Sequence, residues 1–203
     1  MTQLNSDVGF TPAVKIEQEK RGSRANYQKM VENRDWSNTV NEALAAFVSD
    51  RNSFYLATAT KDGQPYIQHR GGPKGFLKII DDKTLGFADF AGNRQYISIG
   101  NSAENNKAYI FLMDYANQRR IKIWGTLRVV EDDPELLEKL TEPEYKARPE
   151  RAFLFEITAW DVNCPQHIPQ MYDLETVQTA TAKLTTRVQE LEAEVAQLRG
   201  VQT

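Results

Sequence analysis

The sequence predicts a mainly β protein: a β-barrel or antiparallel sheet with flanking helices. Three observations predict it. Between residues 53 and 162, six or seven short runs rich in aromatic and β-branched residues recur, joined by short turns. A helical apolar stripe precedes them at 37–51, and a heptad pattern follows at 176–200. The predicted organisation is a tail and helix over 1–35, the β domain over 36–172 and a C-terminal heptad helix over 173–203.

Each element has its own signal. In 11–30, Thr11 caps a helix that Pro12 opens, and Gly22 ends or interrupts it. In 37–51, Val40, Leu44, Phe47 and Val48 share one helical face. "SFYLATAT" (53–60) and "PYIQHR" (65–70) flank Asp62-Gly63, a hairpin turn pair. "FLKII" (76–80) and "LGFADF" (85–90) form a second hairpin, and 107–115 with 119–131 a third. A helix over 133–140 precedes a last long strand, 152–162. In the tail, Val177, Leu184, Val188, Leu191, Val195 and Leu198 follow alternating steps of four and three, with Thr181 filling the remaining slot. Beyond Val177, β-branched residues occupy one seam position and leucines the other, a pairing that favours a parallel two-stranded coiled coil over a single helix packed on its own barrel.

Composition narrows the function classes. The chain has 203 residues, 40% hydrophobic and 26% charged, with net charge −3, which fits a soluble globular protein. The expectation is no nucleic-acid partner and no membrane partner, because there is no basic excess and no apolar run of spanning length. The N-terminus shows no secretory signal pattern, and the single Cys164 fits a cytoplasmic location. Two histidines and one cysteine argue against a dedicated zinc site. Nucleophile-elbow, Walker and His-Glu-x-x-His patterns are absent.

Three segments carry the polar chemistry. In "GFADFAGNRQYISIGN" (86–101), a helix starting near Asn93 would aim free N–H groups outward, with Arg94 as an anion fork and Asn93 and Gln95 as amide donors. The same residues would also serve as an ordinary solvated helix start. In "QPYIQHRGGPKGF" (64–76), Gly71 and Gly72 would let backbone approach a flat heterocycle, or would only shape a Gly-Pro loop. "WDVNCPQHIPQMY" (160–172) is a stiff exit segment with amide and imidazole tips, able to face a ligand or a neighbouring subunit.

Together, "FTPAV", "GSR", "GQPYIQHRGGP", "TLGFADFAGNRQYISIGN" and "WDVNCPQHIPQ" resemble the FMN-binding split-barrel proteins related to pyridoxamine 5′-phosphate oxidase, in a bacterial flavoprotein branch, over roughly residues 10–172. The resemblance implies an FMN-binding split barrel and a homodimer with FMN at the subunit interface. It implies that Gln68, His69, Arg70, Gly71 and Gly72 border the flavin ring. Ala88 and Asp89, then Asn93, Arg94 and Gln95, fall where the family grips the phosphate, and Arg120 falls near a flavin-contacting position. Gln166 and His167 would reach the ring of the partner's flavin, and His69 or His167 would donate a proton or hydrogen bond as the catalytic group. The oxidase's Arg-x-His for pyridoxal-type substrates has no counterpart, so the implied activity is an FMN-dependent oxidoreductase acting on another small-molecule substrate. The alternative is a non-catalytic flavin, haem or deazaflavin binder or sensor with a coiled-coil assembly tail.

Overall fold

Alternation of apolar and polar residues builds a single sheet. The computed structural model describes residues 4–162 and 164–200; the first three residues of the tail, Asn163 of the exit segment and the last three residues lie outside it. Seven strands, β1 (Ser53–Ala59), β2 (Pro65–Gly71), β3 (Lys78–Ile79), β4 (Thr84–Phe90), β5 (Lys107–Asp114), β6 (Arg119–Val130) and β7 (Pro149–Val162), pair antiparallel in the order β2-β1-β5-β6-β7-β4-β3. The ladder is open, with β2 at one end and β3 at the other, and the fold is the split barrel. Phe54 and Leu56 of β1, Ile110 and Leu112 of β5, Ile121 and Ile123 of β6, and Phe153 and Phe155 of β7 fill the core. Burial of this apolar surface supplies the main driving force.

The first hairpin turns where expected: Gly63, at φ 88°, donates to the Thr60 carbonyl, and Thr60 donates to the Gln64 carbonyl. β3 is only two residues long, because Phe76 and Leu77 leave the ladder to enter the core. β6 and β7 slip register at Trp124, opposite Ala159, and Gly125, opposite Ile157, leaving Thr158 as the extra residue of a bulge. A Cβ on Gly125 would stand 2.1 Å from the Glu156 carbonyl oxygen, so the two strands touch backbone to backbone there.

The helices flank the sheet. Gly22 divides the predicted N-terminal helix into α1 (Pro12–Lys20) and α2 (Arg24–Asn33). α3 (Glu42–Ser49) begins at an Asn41 cap, later than the pattern over 37–51 predicts. The reason is tertiary: Ser37 bridges to Trp160, the Trp160 indole donates to the Thr39 carbonyl at 2.8 Å, and Val40 donates to Asp82. α4 (Ile97–Glu104) follows β4, and α5 (Pro134–Leu140), capped by Asp133, follows β6.

The chain forms two compact units. The larger comprises residues 1–114 and 119–165 and holds all seven strands. The smaller comprises residues 115–118 and 166–203. Within it, Gln118 donates to the Ile168 carbonyl at 2.7 Å and Gln170 to the Ala116 carbonyl at 3.1 Å. Its helix, α6 (Leu174–Gly200), starts at Asp173, whose carboxylate accepts from Thr176 N, and buries none of its residues.

Candidate functional site

Strand alternation decides which side chains can meet. In β2, Tyr66, Gln68 and Arg70 face one way, and Ile67, His69 and Gly71 the other. Tyr66, Gln68 and Arg70 line a cleft of about 200 Å³. Its other walls are Asp89 and Phe90 at the end of β4, the turn from Gly92 to Tyr96, the first residues of α4, and Glu150 and Arg151 of β7.

An ionic cluster sets the cleft floor. Arg70 donates to Asp89 Oδ1 at 2.5 Å, and Arg151 donates to Asp89 Oδ2 at 2.9 Å. Asp89 and Arg151 are directly opposed in the β4–β7 register, whereas β2 and β4 have four strands between them in the ladder. Asp89 is buried, at 8% exposure, between two guanidinium groups, so its charge is compensated in place. Burial pulls the Arg151 pKa down, but Asp89, Glu150 and Glu131 outweigh it, and the guanidinium lies above its ordinary value. Arg70 also lies over the Phe87 and Phe153 rings, at 5.7 and 5.2 Å from their centroids.

The turn at the cleft mouth differs from expectation. The helix begins at Ile97 rather than near Asn93, because residues 93–96 coil first. Asn93 accepts from Gln95 N through its side chain, and Arg94 and Tyr96 both take left-handed backbone, at φ 59° and 52°. Non-glycine residues in that region carry strain, which is retained where surroundings fix it. Ile97, Ser98 and Ile99, whose N–H groups lack intrahelical partners, therefore line the cleft with Arg94 beside them. Side chains pin α4 there: Ser98 donates to Gln68 Oε1 at 3.2 Å, and Asn101 donates to Thr58 Oγ1 at 3.0 Å.

Three guanidinium groups (Arg70, Arg94, Arg151) thus face two carboxylates (Asp89, Glu150) around a helix mouth, a net positive balance suited to an anion. Two of the cleft's donors are free among the described residues. The Arg70 Nε is buried without a hydrogen-bond partner among the described residues. The Arg94 side chain, exposed, makes no hydrogen bond or ion pair among them.

The cleft therefore brings together Gln68, Arg70, Asp89, Asn93, Arg94 and Gln95 of the residues singled out in the sequence. It does not gather the others. His69 lies on the opposite face of β2, edge-on to Tyr55 with ring centroids 5.7 Å apart. A Cβ on Gly71 would stand 3.2 Å from the exposed His69 ring, and one on Gly72 would stand 2.7 Å from Phe76, so packing explains Gly72. Ala88 is buried against Leu140 and Ala152. Arg120 lies on β6, close enough to Tyr109 to act on its charge. Gln166 and His167 are exposed in the smaller unit, His167 with φ 62°. Sequence reasoning missed Tyr66, Tyr96, Ser98, Glu150 and Arg151. Only the strand register, which puts Arg151 opposite Asp89, exposes the last of these.

A family model described as pyridoxamine 5′-phosphate oxidase matches residues 40–164, more than half of the chain. The chain belongs to that family. As a pyridoxamine 5′-phosphate oxidase family member it shares its fold with HupZ of Group A Streptococcus, at 16% identity and a TM-score of 0.50, over 66% of this chain and 99% of that one. An FMN-binding protein from Syntrophomonas wolfei subsp. wolfei is also similar, at 15% identity and a TM-score of 0.47, over 72% of this chain and 97% of that one. No curated protein matches this family member in sequence. No helix among the described residues is long and apolar enough to cross a membrane.

Proposed function

We propose that this chain binds FMN non-covalently and works as an FMN-dependent oxidoreductase on a small organic substrate. The observation that carries the proposal is the pair of unpartnered guanidinium donors, Arg70 Nε and the Arg94 head, set around the mouth of α4. A phosphate needs such a donor set: charged forks for its charge and backbone N–H groups for its remaining oxygens. Arg94, with Asn93 and Gln95 at its sides, would take the phosphate from the solvent side. Arg70 and the N–H groups of residues 97–99 would take it from the cleft floor. Arg151 would act through Asp89, holding that carboxylate away from the anion. Gln68, oriented by Ser98, would present its amide to the adjoining ribityl or ring atoms.

At about 200 Å³ the cleft falls short of the roughly 300 Å³ at which small-molecule sites usually begin, so it suits one end of FMN. This supports a homodimer in which residues 36–172 of each subunit hold a phosphate and the flavin ring lies at the interface. The exit segment would then supply Gln166 and His167 to the partner's flavin, with His167 as the proton or hydrogen-bond donor. His69, on the far face of β2, has no place in this cleft. Bound FMN would supply two-electron redox chemistry, and the protein its position and electrostatics. Cys164 as an exposed free thiol fits a cytoplasmic setting.

The test is direct. The purified chain should carry a yellow chromophore that is released on denaturation as FMN, and the Arg94→Ala variant should lose it on dialysis. A colourless protein with no affinity for added FMN removes the proposal. Flavin binding without reduction by any nicotinamide donor favours instead a non-catalytic flavin protein, a reading that the wholly exposed α6 supports.

A further inference from the structure

We infer that two copies of this chain pair through α6 as a parallel, in-register, two-stranded coiled coil, and that charges flanking the seam fix both orientation and register. The inference is independent of the flavin proposal.

The helix runs 27 residues, about 40 Å, and buries none of its residues. Along its seam, Val177, Leu184, Val188, Leu191, Val195 and Leu198 stand 42–68% exposed. A strip this narrow repeats every 3.5 residues on average, which matches a second helix wound beside it. Thr181, Val188 and Val195 occupy the a positions, and Leu184, Leu191 and Leu198 the d positions. β-branched residues at a with leucine at d select two strands.

The charges identify the occupant as a second copy. With Leu184 at d, Arg187 and Glu194 fall at g, and Glu192 and Arg199 at e. In a parallel pair each g residue meets the e residue five positions later on the other helix. Arg187 then meets Glu192 of the second copy, and Glu194 meets its Arg199. Symmetry doubles each contact, so all four are of opposite sign. An antiparallel pair keeping the same layers, with Val188 opposite Leu191, places g against g. It retains only the two Arg187–Glu194 contacts and sets Thr185 against Glu192. A parallel slip of one heptad is worse, because it brings Arg187 to Arg199 and Glu194 to Glu192. Among the described residues, Arg187 donates only to Glu190, at 2.9 Å on the open surface, a weak pair that leaves its guanidinium able to reach across.

The experiment uses the full chain with Cys164→Ser as background and Leu184→Cys as probe. A parallel in-register pair sets position 184 opposite itself. The antiparallel pair moves the two copies of 184 about 16 Å apart along the axis, beyond disulfide reach. Mild oxidation should give a disulfide-linked dimer. Adding Arg187→Glu should lower its yield roughly tenfold, since two attractive contacts become repulsive, and adding Glu192→Arg to that variant should restore it. Val188→Asp with Leu191→Asp should abolish linking while the sheet unit keeps its fold, which separates tail pairing from association through the sheet. The inference fails if Leu184→Cys stays unlinked, as it would with a different protein as occupant. It fails if a mixture of Leu184→Cys and Val195→Cys chains links preferentially 184 to 195, if Arg187→Glu has no effect, or if linking survives the double aspartate change.

Discussion

Arg70 and Asp89 form an ion pair at 2.5 Å although four strands stand between theirs in the hydrogen-bonded ladder. The backbone ladder is open, so side chains bring the edge strand β2 against β4, next to the other end. Asp89 also holds Arg151 at 2.9 Å. The same carboxylate therefore ties β2 to β4 and β7 and lines the floor of the cleft.

Asp89→Asn separates those two roles from packing, because the amide has the same shape. It leaves the largely buried Arg70 guanidinium without its counter-ion and Arg151 with only Glu150 and Glu131, and breaking a buried pair in this way costs about 3–5 kcal/mol. The urea unfolding midpoint should fall accordingly, with the slope unchanged. A midpoint equal to that of the parent chain would show that the pair contributes nothing to the fold.

Arg94 makes the opposite prediction for stability. Its side chain has no hydrogen bond or ion pair among the described residues, and its backbone sits at φ 59°, where a Cβ costs roughly 1 kcal/mol. Arg94→Gly should therefore raise the melting temperature, by a few degrees. Arg94→Ala keeps the Cβ and should leave it unchanged. Both should weaken FMN binding by roughly 10- to 100-fold, the worth of one charge-assisted hydrogen bond. Calorimetry and a fluorescence titration on the two variants check the pair of signs. A residue whose removal stabilises the fold and weakens the ligand is one retained for binding.

Much of this was legible in the sequence, and the reasons for the rest are physical. The strands follow from local alternation, so their approximate number and the three hairpin pairs were readable, with Asp62-Gly63 marking the first; the long-range pairings β1–β5, β4–β7 and β6–β7 were not. The Asn93-Arg94-Gln95 trio was readable as a candidate site because three polar donors follow a glycine just past a strand end, and the cleft does gather all three. The start of α4 was not, because left-handed backbone at Arg94 and Tyr96 delays the helix by four residues, and neither residue type signals that conformation. Arg151 was hidden because its meaning depends on register across 62 residues of chain. Gly71 and Gly72 looked like a ligand edge, yet Phe76 occupies the space beside Gly72; sequence shows a missing side chain but not what fills its place.

Tyr109 gives a pH prediction. It lies half-buried on β5, edge-on to Trp124. Burial raises its pKa well above the ordinary 10.0, Arg120 pulls it down, and Asp161 adds to the rise. A folded-state pKa above the unfolded one means stability that is complete below about pH 10 and is lost as pH climbs past it. In that window the unfolded tyrosine ionises and the folded one does not, a slope of at most about 1.4 kcal/mol per pH unit from this residue. Tyr109→Phe removes the ionisation altogether. Its unfolding free energy should decline less steeply above pH 10 than that of the parent, with the two profiles parallel at lower pH. Parallel profiles throughout would place the alkaline sensitivity elsewhere.

Gly125 tests whether the β6–β7 bulge is a designed feature of the barrel. A single added methyl would stand 2.1 Å from the Glu156 carbonyl oxygen and 2.5 Å from the edge of the Phe155 ring. Phe155 is wholly buried and cannot move aside, and the Glu156 carbonyl belongs to strand backbone. Gly125→Ala must therefore push β6 and β7 apart where they carry the longest pairing of the sheet. Overpacking of this kind costs about 1–3 kcal/mol where side chains can adjust, and more where backbone must move. Since β7 also carries Arg151, the displacement should weaken FMN binding through a residue remote from the cleft. Hydrogen exchange should show faster opening along β6 and β7 in the variant, with β1 and β2 less affected. Uniform protection across all four strands would mean that the bulge absorbs the methyl group without strain.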